Sequence, residues 1–167
     1  MSCINLAKYH MRRVEKEISD EKEKVEILKA GKYAIISMCK ENEPYLVSLS
    51  YGYDDSKKSL YFHCANEGQK IDFIKANPFV CGTVIEENGY QEGCGQAFRS
   101  VIFRGKMVII TELLEKKYGF DVLINHLEKN PEVVKKKFLK KDVTYENSGM
   151  LRLDIKEITG KEEKAEG

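Results

Sequence analysis

A phosphate-sized anion has a well-made place to bind in the loop Asn66-Glu67-Gly68-Gln69-Lys70. The loop runs into a short apolar helix that stops at Asn77-Pro78, so its end supplies the unpaired N–H groups of a helix start. Those groups and the helix dipole favour negative charge, and Lys70 adds a full positive charge at the same point. Two extended runs come just before it, residues 44–51 and 60–65, joined by the turn Asp54-Asp55-Ser56-Lys57-Lys58. The anion seat therefore adjoins a two-stranded surface.

The side chains of that surface narrow what the rest of a ligand would meet. Ser48 and Ser50 share one face of a period-two strand, and Val47 and Leu49 face the other way. Two hydroxyls among aliphatics can donate to the polar edges of a flat molecule; they suit the solvent side of an outer strand equally well. His63 lies in the second run just before the loop, followed by Cys64. A neutral imidazole there can relay a proton near pH 7, whereas a lone histidine is more often a packed or surface residue. His10 and His126 are distant in sequence, so no metal site is expected.

The elements that must position these residues are mostly strands. Asp20 with Glu23 has the spacing of a capping box and Gly31 is a good stop, which predicts a helix over 20–30. Strands are expected at 33–39, 44–51, 60–65, 79–85, 98–110 and 150–155, with Gly105 marking a bulge or bend in the longest. Residues 86–95 read as a polar, glycine-rich loop. Thr111 can cap a helix weakened by Gly119, and Pro131 suits the first turn of another. Six antiparallel strands with helices outside imply a mainly β chain, a small six-stranded antiparallel barrel in one domain over 1–167. The charged tail from about 161 is expected to fray.

Composition excludes several classes. With 42% hydrophobic and 33% charged residues in 167, the chain can bury a core and is neither disordered nor collagen-like. A formal charge of +1 argues against a dedicated nucleic-acid binder, and the lysines at 135–137 and 140–141 read as a solvated helical face. No apolar run is long enough to span a bilayer, and Met1–Asn5 lacks the features of a signal peptide, so a cytoplasmic location without membrane contact is expected. The five cysteines have no C-x-x-C spacing: Cys39, Cys64 and Cys81 read as small core residues, and Cys94 as an exposed loop thiol.

The order and spacing of several short motifs resemble the flavin-binding split barrel of the pyridoxamine 5′-phosphate oxidase-like superfamily, in its nitroimidazole-resistance and flavin-nucleotide-binding branch. They are Met11-Arg12-Arg13, Glu43-Pro44-Tyr45, Tyr51-Gly52-Tyr53-Asp54, Tyr61-Phe62-His63 and Glu67-Gly68-Gln69-Lys70. Asn77-Pro78, Arg99-Ser100-Val101 with Gly105, and Ile158-Thr159-Gly160-Lys161 complete the series. The resemblance implies a homodimer with flavin mononucleotide (FMN) at the subunit interface. The flavin ring would lie along the backbone of Val47, Ser48, Leu49 and Ser50, and its phosphate at Gln69 and Lys70. His63, with Cys64 beside it, would stand near the flavin, His63 as the candidate catalytic residue. Ser100 takes the place of a polar flavin contact. Relatives that oxidise pyridoxamine phosphate carry arginine-lysine where this chain has Gln69-Lys70, so Arg99 becomes a candidate for the missing cation, and pyridoxal phosphate synthesis is not expected. The expected activity is an FMN-dependent oxidoreductase passing electrons or hydride to a small acceptor such as a nitro compound or quinone. The alternative is a flavin- or haem-binding protein without turnover.

Overall fold

The computed structural model describes residues 11–92 and 95–164; Met1–Asn5, His10 and Cys94 lie outside the described residues. A 3₁₀ turn (Val14–Lys16) and a two-residue strand, β1 (Glu17–Ile18), precede α1 (Glu21–Ala30). Asp20 opens α1 as expected, its carboxylate accepting the Lys22 N–H at 2.8 Å. Glu41 and Asn42 both have positive φ, 49° and 67°, a two-residue turn whose twist suits a tight hairpin. They join β2 (Tyr33–Lys40) to β3 (Glu43–Ser50) in register from Lys40↔Glu43 to Tyr33↔Ser50. After β4 (Gly52–Asp54) and β5 (Ser59–Cys64) comes α2 (Gln69–Ala76), then the long hairpin of β6 (Phe79–Gln91) and β7 (Gly95–Ile110). The helices α3 (Leu113–Leu127), α4 (Pro131–Phe138) and α5 (Asp142–Glu146) lead to β8 (Gly149–Glu163).

All eight strands pair antiparallel in one sheet ordered β3-β2-β6-β7-β8-β5-β4, with β1 beside β8. The sheet curls around its core without closing, a split β-barrel with eight strands rather than six. β1 and β4 are too short to stand out in the sequence, which explains the undercount. The core runs through Ile36, Phe62, Phe103 and Leu151, with a smaller cluster of Tyr61, Ile110, Phe120 and Met150 under α3. Among the described residues no helix is long and apolar enough to cross a membrane.

Five local expectations are corrected. Of the three cysteines read as small core residues only Cys64 is buried; Cys39 is exposed and Cys81 half-buried, because both stand on the outer face of the sheet. Residues 86–91 are strand, because β6 and β7 keep pairing out to Gln91↔Gly95, with an irregularity between Glu87 and Tyr90. A ladder that projects past the core needs hydrogen-bond partners but no apolar side chains, so its polar sequence reads as a loop. Lys161 to Glu163 belong to β8, where Lys161 pairs with both Ser100 and Glu17, so the tail is ordered through Glu163. Thr111 is not a cap: α3 starts at Leu113 behind Glu112, with no side-chain cap bond. Gly119 serves packing, since a Cβ there would stand 2.7 Å from Tyr61 and 2.9 Å from Met150. The bulge expected at Gly105 is present as a register shift between Arg104 and Gly105.

His126 pins α3 to the barrel. Its Nε2 lies 2.6 Å from the Gly31 carbonyl, which can only accept, so Nε2 carries the proton and Nδ1 receives the Tyr53 N–H at 3.5 Å. Its ring also stacks on Tyr51 with centroids 5.0 Å apart. Burial holds the imidazole below its ordinary pKa of 6.5, so the unfolded chain takes up a proton that the folded chain refuses. Stability should therefore be flat above about pH 7.5 and fall on acidification through 6.5, by at most about 1.4 kcal/mol per pH unit for this group. Urea midpoints at pH 7.5 and 5.5, compared with those of His126→Asn, check this: the variant should lose part of the slope.

Candidate functional site

The seat of the anion loop is built as its sequence requires. Gly68 caps α2 with φ 115°, a backbone state that only glycine adopts readily, and it has open space around it. Its carbonyl accepts the N–H groups of Ile71 and Asp72 at 2.9 and 3.2 Å. The N–H groups of Gln69 and Lys70 lie ahead of the first helical bond, and no side chain caps this end of α2. The first turn of α2 therefore carries two backbone donors without a helical partner, and Lys70.

Packing sets the middle of α2 against the barrel core and the first part of β3. Phe73 of α2 lies against Tyr45 of β3, centroids 5.2 Å apart. Val47 and Leu49 pack on the same core cluster as Cys64, Ile71 and Phe73. Cys64, Gln69 and Lys70 follow one another along the chain at the end of β5 and the start of α2, while Val47, Ser48, Leu49 and Ser50 lie on β3. Ser48 stands on the outer face of β3 with Leu46, which is 62% exposed.

β3 is the terminal strand of the sheet. Tyr51 N–H bonds back to Lys32 at 3.2 Å, which sets the alternation. Odd-numbered residues of β3 bond into β2, and Leu46, Ser48 and Ser50 direct their backbone N–H and C=O groups to the free edge. Pro44, on the same edge, has no N–H to offer, which suits an edge position. A flat ligand with donors and acceptors around its rim can be read by this edge without any side chain taking part.

His63 is exposed on the opposite face of β5 from Cys64, its ring 5.3 Å from Phe120. The surrounding protein and the Lys70 charge hold the imidazole below its ordinary pKa, so it is neutral near pH 7. Burial pushes the Cys64 thiol up, against the pull of Lys70 and Lys116. Lys70 therefore acts electrostatically on both residues that end β5.

Arg99 and Ser100 lie on β7, opposite Glu86 and Ile85 of β6. Arg99 binds Glu86 at 2.8 Å, and that carboxylate together with Glu26 and Glu23 strengthens its charge. From Arg99 to Lys106, beside the exit from α2, is roughly 23 Å of extended chain. Lys116, buried in α3 and donating to the carbonyls of Glu146 and Ser148, was missed; an interior lysine in a helical pattern gives no signal. Among the described residues no cluster of ligating side chains could hold a metal.

An open antiparallel sheet curled around one core, with helices packed outside, defines the split-barrel class of proteins. A candidate 5-nitroimidazole antibiotic resistance protein from Bacteroides thetaiotaomicron superposes with a TM-score of 0.75 at 26% identity, over 87% of this chain and 85% of its own. A FAD-binding protein from Mesorhizobium loti gives 0.63 at 24% identity, over 86% of this chain and 94% of its own. A flavocytochrome from Azotobacter vinelandii gives 0.79 at 17%, over 94% and 73%. No protein of curated function matches the chain. The chain belongs to the pyridoxamine 5′-phosphate oxidase family, which it matches across residues 20–162.

Proposed function

We propose that the chain binds FMN at this site and acts as an oxidoreductase, delivering electrons or hydride to a small acceptor such as a nitro compound or quinone. The observation that supports this is the uncapped start of α2, with Lys70, in a barrel whose terminal strand β3 leaves the backbone edge at Leu46, Ser48 and Ser50 unpaired. The flavin would supply the electron chemistry. The Gln69 and Lys70 N–H groups and the Lys70 ammonium hold a phosphate, and the β3 edge orients a ring. His63, neutral and exposed, is the group positioned to pass a proton at its imidazole nitrogen.

The functional unit we propose is a homodimer with the flavin at the interface. Tyr33, Leu46, Phe79 and Ile85 share the outer face of the sheet at 69, 62, 58 and 56% exposure, an apolar stretch that suits a second copy. Arg99 and Ser100 would contribute to the flavin site at that interface. The absorption spectrum of the purified protein, repeated after FMN addition and gel filtration, tests the proposal. A retained, equimolar flavin band is expected; no retained chromophore overturns it. The flavocytochrome likeness favours a second reading, a haem or flavin carrier without turnover. A haem band, or a bound flavin that stays oxidised with every nicotinamide donor, would support that reading instead.

A further inference from the structure

Successive backbone carbonyls at the end of α5, those of Glu146, Asn147 and Ser148, each accept a side-chain donor. Lys116 Nζ, on α3, donates to Glu146 at 3.1 Å and to Ser148 at 2.8 Å. Between them the Asn147 carbonyl accepts the Asn66 amide N–H at 2.9 Å. A helix end leaves carbonyls without partners, and an ammonium can serve more than one of them. Lys116 is 6% exposed, and a buried charge is costly unless hydrogen bonds hold it. Asn66 is the first residue of the anion loop. The segment 146–148 is therefore gripped from α3 and from the loop at once.

Backbone contact closes the same junction. β8 begins at Gly149, opposite Cys64 of β5. A Cβ at Gly149 would stand 2.6 Å from the Ala65 carbonyl oxygen and 2.7 Å from that of Cys64. Only glycine lets the chain pass so close to the residues that lead into the loop. At the loop's other end, Ile71, Phe73 and Ile74 bury α2 in the core. Glu67 and Gly68 thus lie between two anchored ends. A loop already held in one shape loses less freedom when a ligand arrives, which strengthens binding. Burial raises the Cys64 thiol pKa, and the Lys70 and Lys116 charges both oppose it. The two ammonium groups therefore lie within electrostatic reach of the same residue.

We propose that Asn66 and Lys116 are positioning residues for the phosphate seat, holding the Gln69 and Lys70 N–H groups in the arrangement that receives the anion. That the anion is a flavin phosphate rests on the reading above; the restraint on the loop does not.

Asn66→Ala is the decisive variant, because Asn66 is exposed and its truncation leaves the core intact. FMN and riboflavin are titrated by fluorescence quenching against the wild-type chain, Asn66→Ala, Lys116→Met and the double variant. Each single variant should bind FMN about fivefold more weakly and riboflavin unchanged. The double variant should lose about as much as the worse single variant, because both residues act through one segment. Hydrogen exchange without ligand is the second readout. The Ile71 and Asp72 N–H groups bond to the Gly68 carbonyl at 2.9 and 3.2 Å. They should exchange severalfold faster in Asn66→Ala, while Leu153, between β5 and β7, keeps its rate.

Unchanged FMN affinity in Asn66→Ala overturns the proposal, and so does an equal loss for the two ligands. Losses that multiply in the double variant overturn the shared grip. If Lys116→Met does not fold, Asn66→Ala decides alone. If the wild-type chain binds no FMN, the flavin reading falls and exchange decides: faster exchange at Ile71 and Asp72 upholds the restraint, and unchanged rates overturn it.

Discussion

Lys70→Ala should weaken FMN binding about thirtyfold while leaving riboflavin binding unchanged. A charged donor to a phosphate contributes about 1.5–3 kcal/mol, a factor of roughly 10–100 in affinity. Riboflavin carries the same ring and ribityl chain without the phosphate, so it reports on the β3 edge alone. Fluorescence quenching titrations of both ligands against both proteins give the four constants. An equal loss for the two ligands would mean that Lys70 holds the local fold and does not touch phosphate. The same variant has a second readout. Removing the ammonium should raise the His63 pKa toward its ordinary value, visible in an NMR titration of the ring protons, because Lys70 is one of the two causes of its depression. The loss of FMN affinity should also shrink as salt is raised, since screening already weakens the wild-type contact.

Gly52→Ala should lower stability by about 2–4 kcal/mol, enough to bring the melting temperature down by roughly 5–15 °C in a chain of this size. A Cβ on Gly52 would lie 2.5 Å from the Leu123 Cα, 2.7 Å from its nitrogen and 2.8 Å from the Val122 carbonyl carbon. All three are backbone atoms, so no rotamer change relieves the clash and α3 must lift away from β4. That would also disturb His126, whose Nδ1 accepts the N–H of the next residue, Tyr53. Calorimetric melting checks the size of the effect. A loss below about 1 kcal/mol would show that α3 is free to slide, and would remove the case for His126 as a fixed pin.

The legible parts of the fold were those where one physical rule acts alone. The Asp20 cap, the Gly105 bulge and the helix start at Gln69 each follow from a backbone need that few residues meet. The period of β3 put Ser48 and Leu49 on opposite faces, and the structure keeps them there. Other features depend on partners that a single sequence does not display. The outer reach of β6 and β7 is polar and is held by ladder bonds, so nothing in its composition announces a strand. Arg99 sits beside a serine in the sequence and was a reasonable candidate for the missing cation. Within the chain its partner is Glu86, brought opposite by a hairpin whose extent the sequence does not show. Glu157 is one glutamate among many in a charged segment, and nothing in that composition announces that one of its oxygens is shielded from water.

The place of β8 has a consequence for how the protein comes into being. It lies at the middle of the sheet and pairs with β7, β5 and β1, yet it is made after all of them. On the ribosome the hairpins β2–β3, β6–β7 and β4–β5 can each form early, but they stay unjoined until Gly149 to Glu163 emerge. Until then the edges of β5 and β7 are open to any other strand, including one from a neighbouring nascent chain. Partners such as Glu17 and Lys161 meet only across almost the whole chain, which makes closure slow compared with hairpin formation. A cell making this protein quickly would need to shelter those two edges for the time it takes to finish one strand.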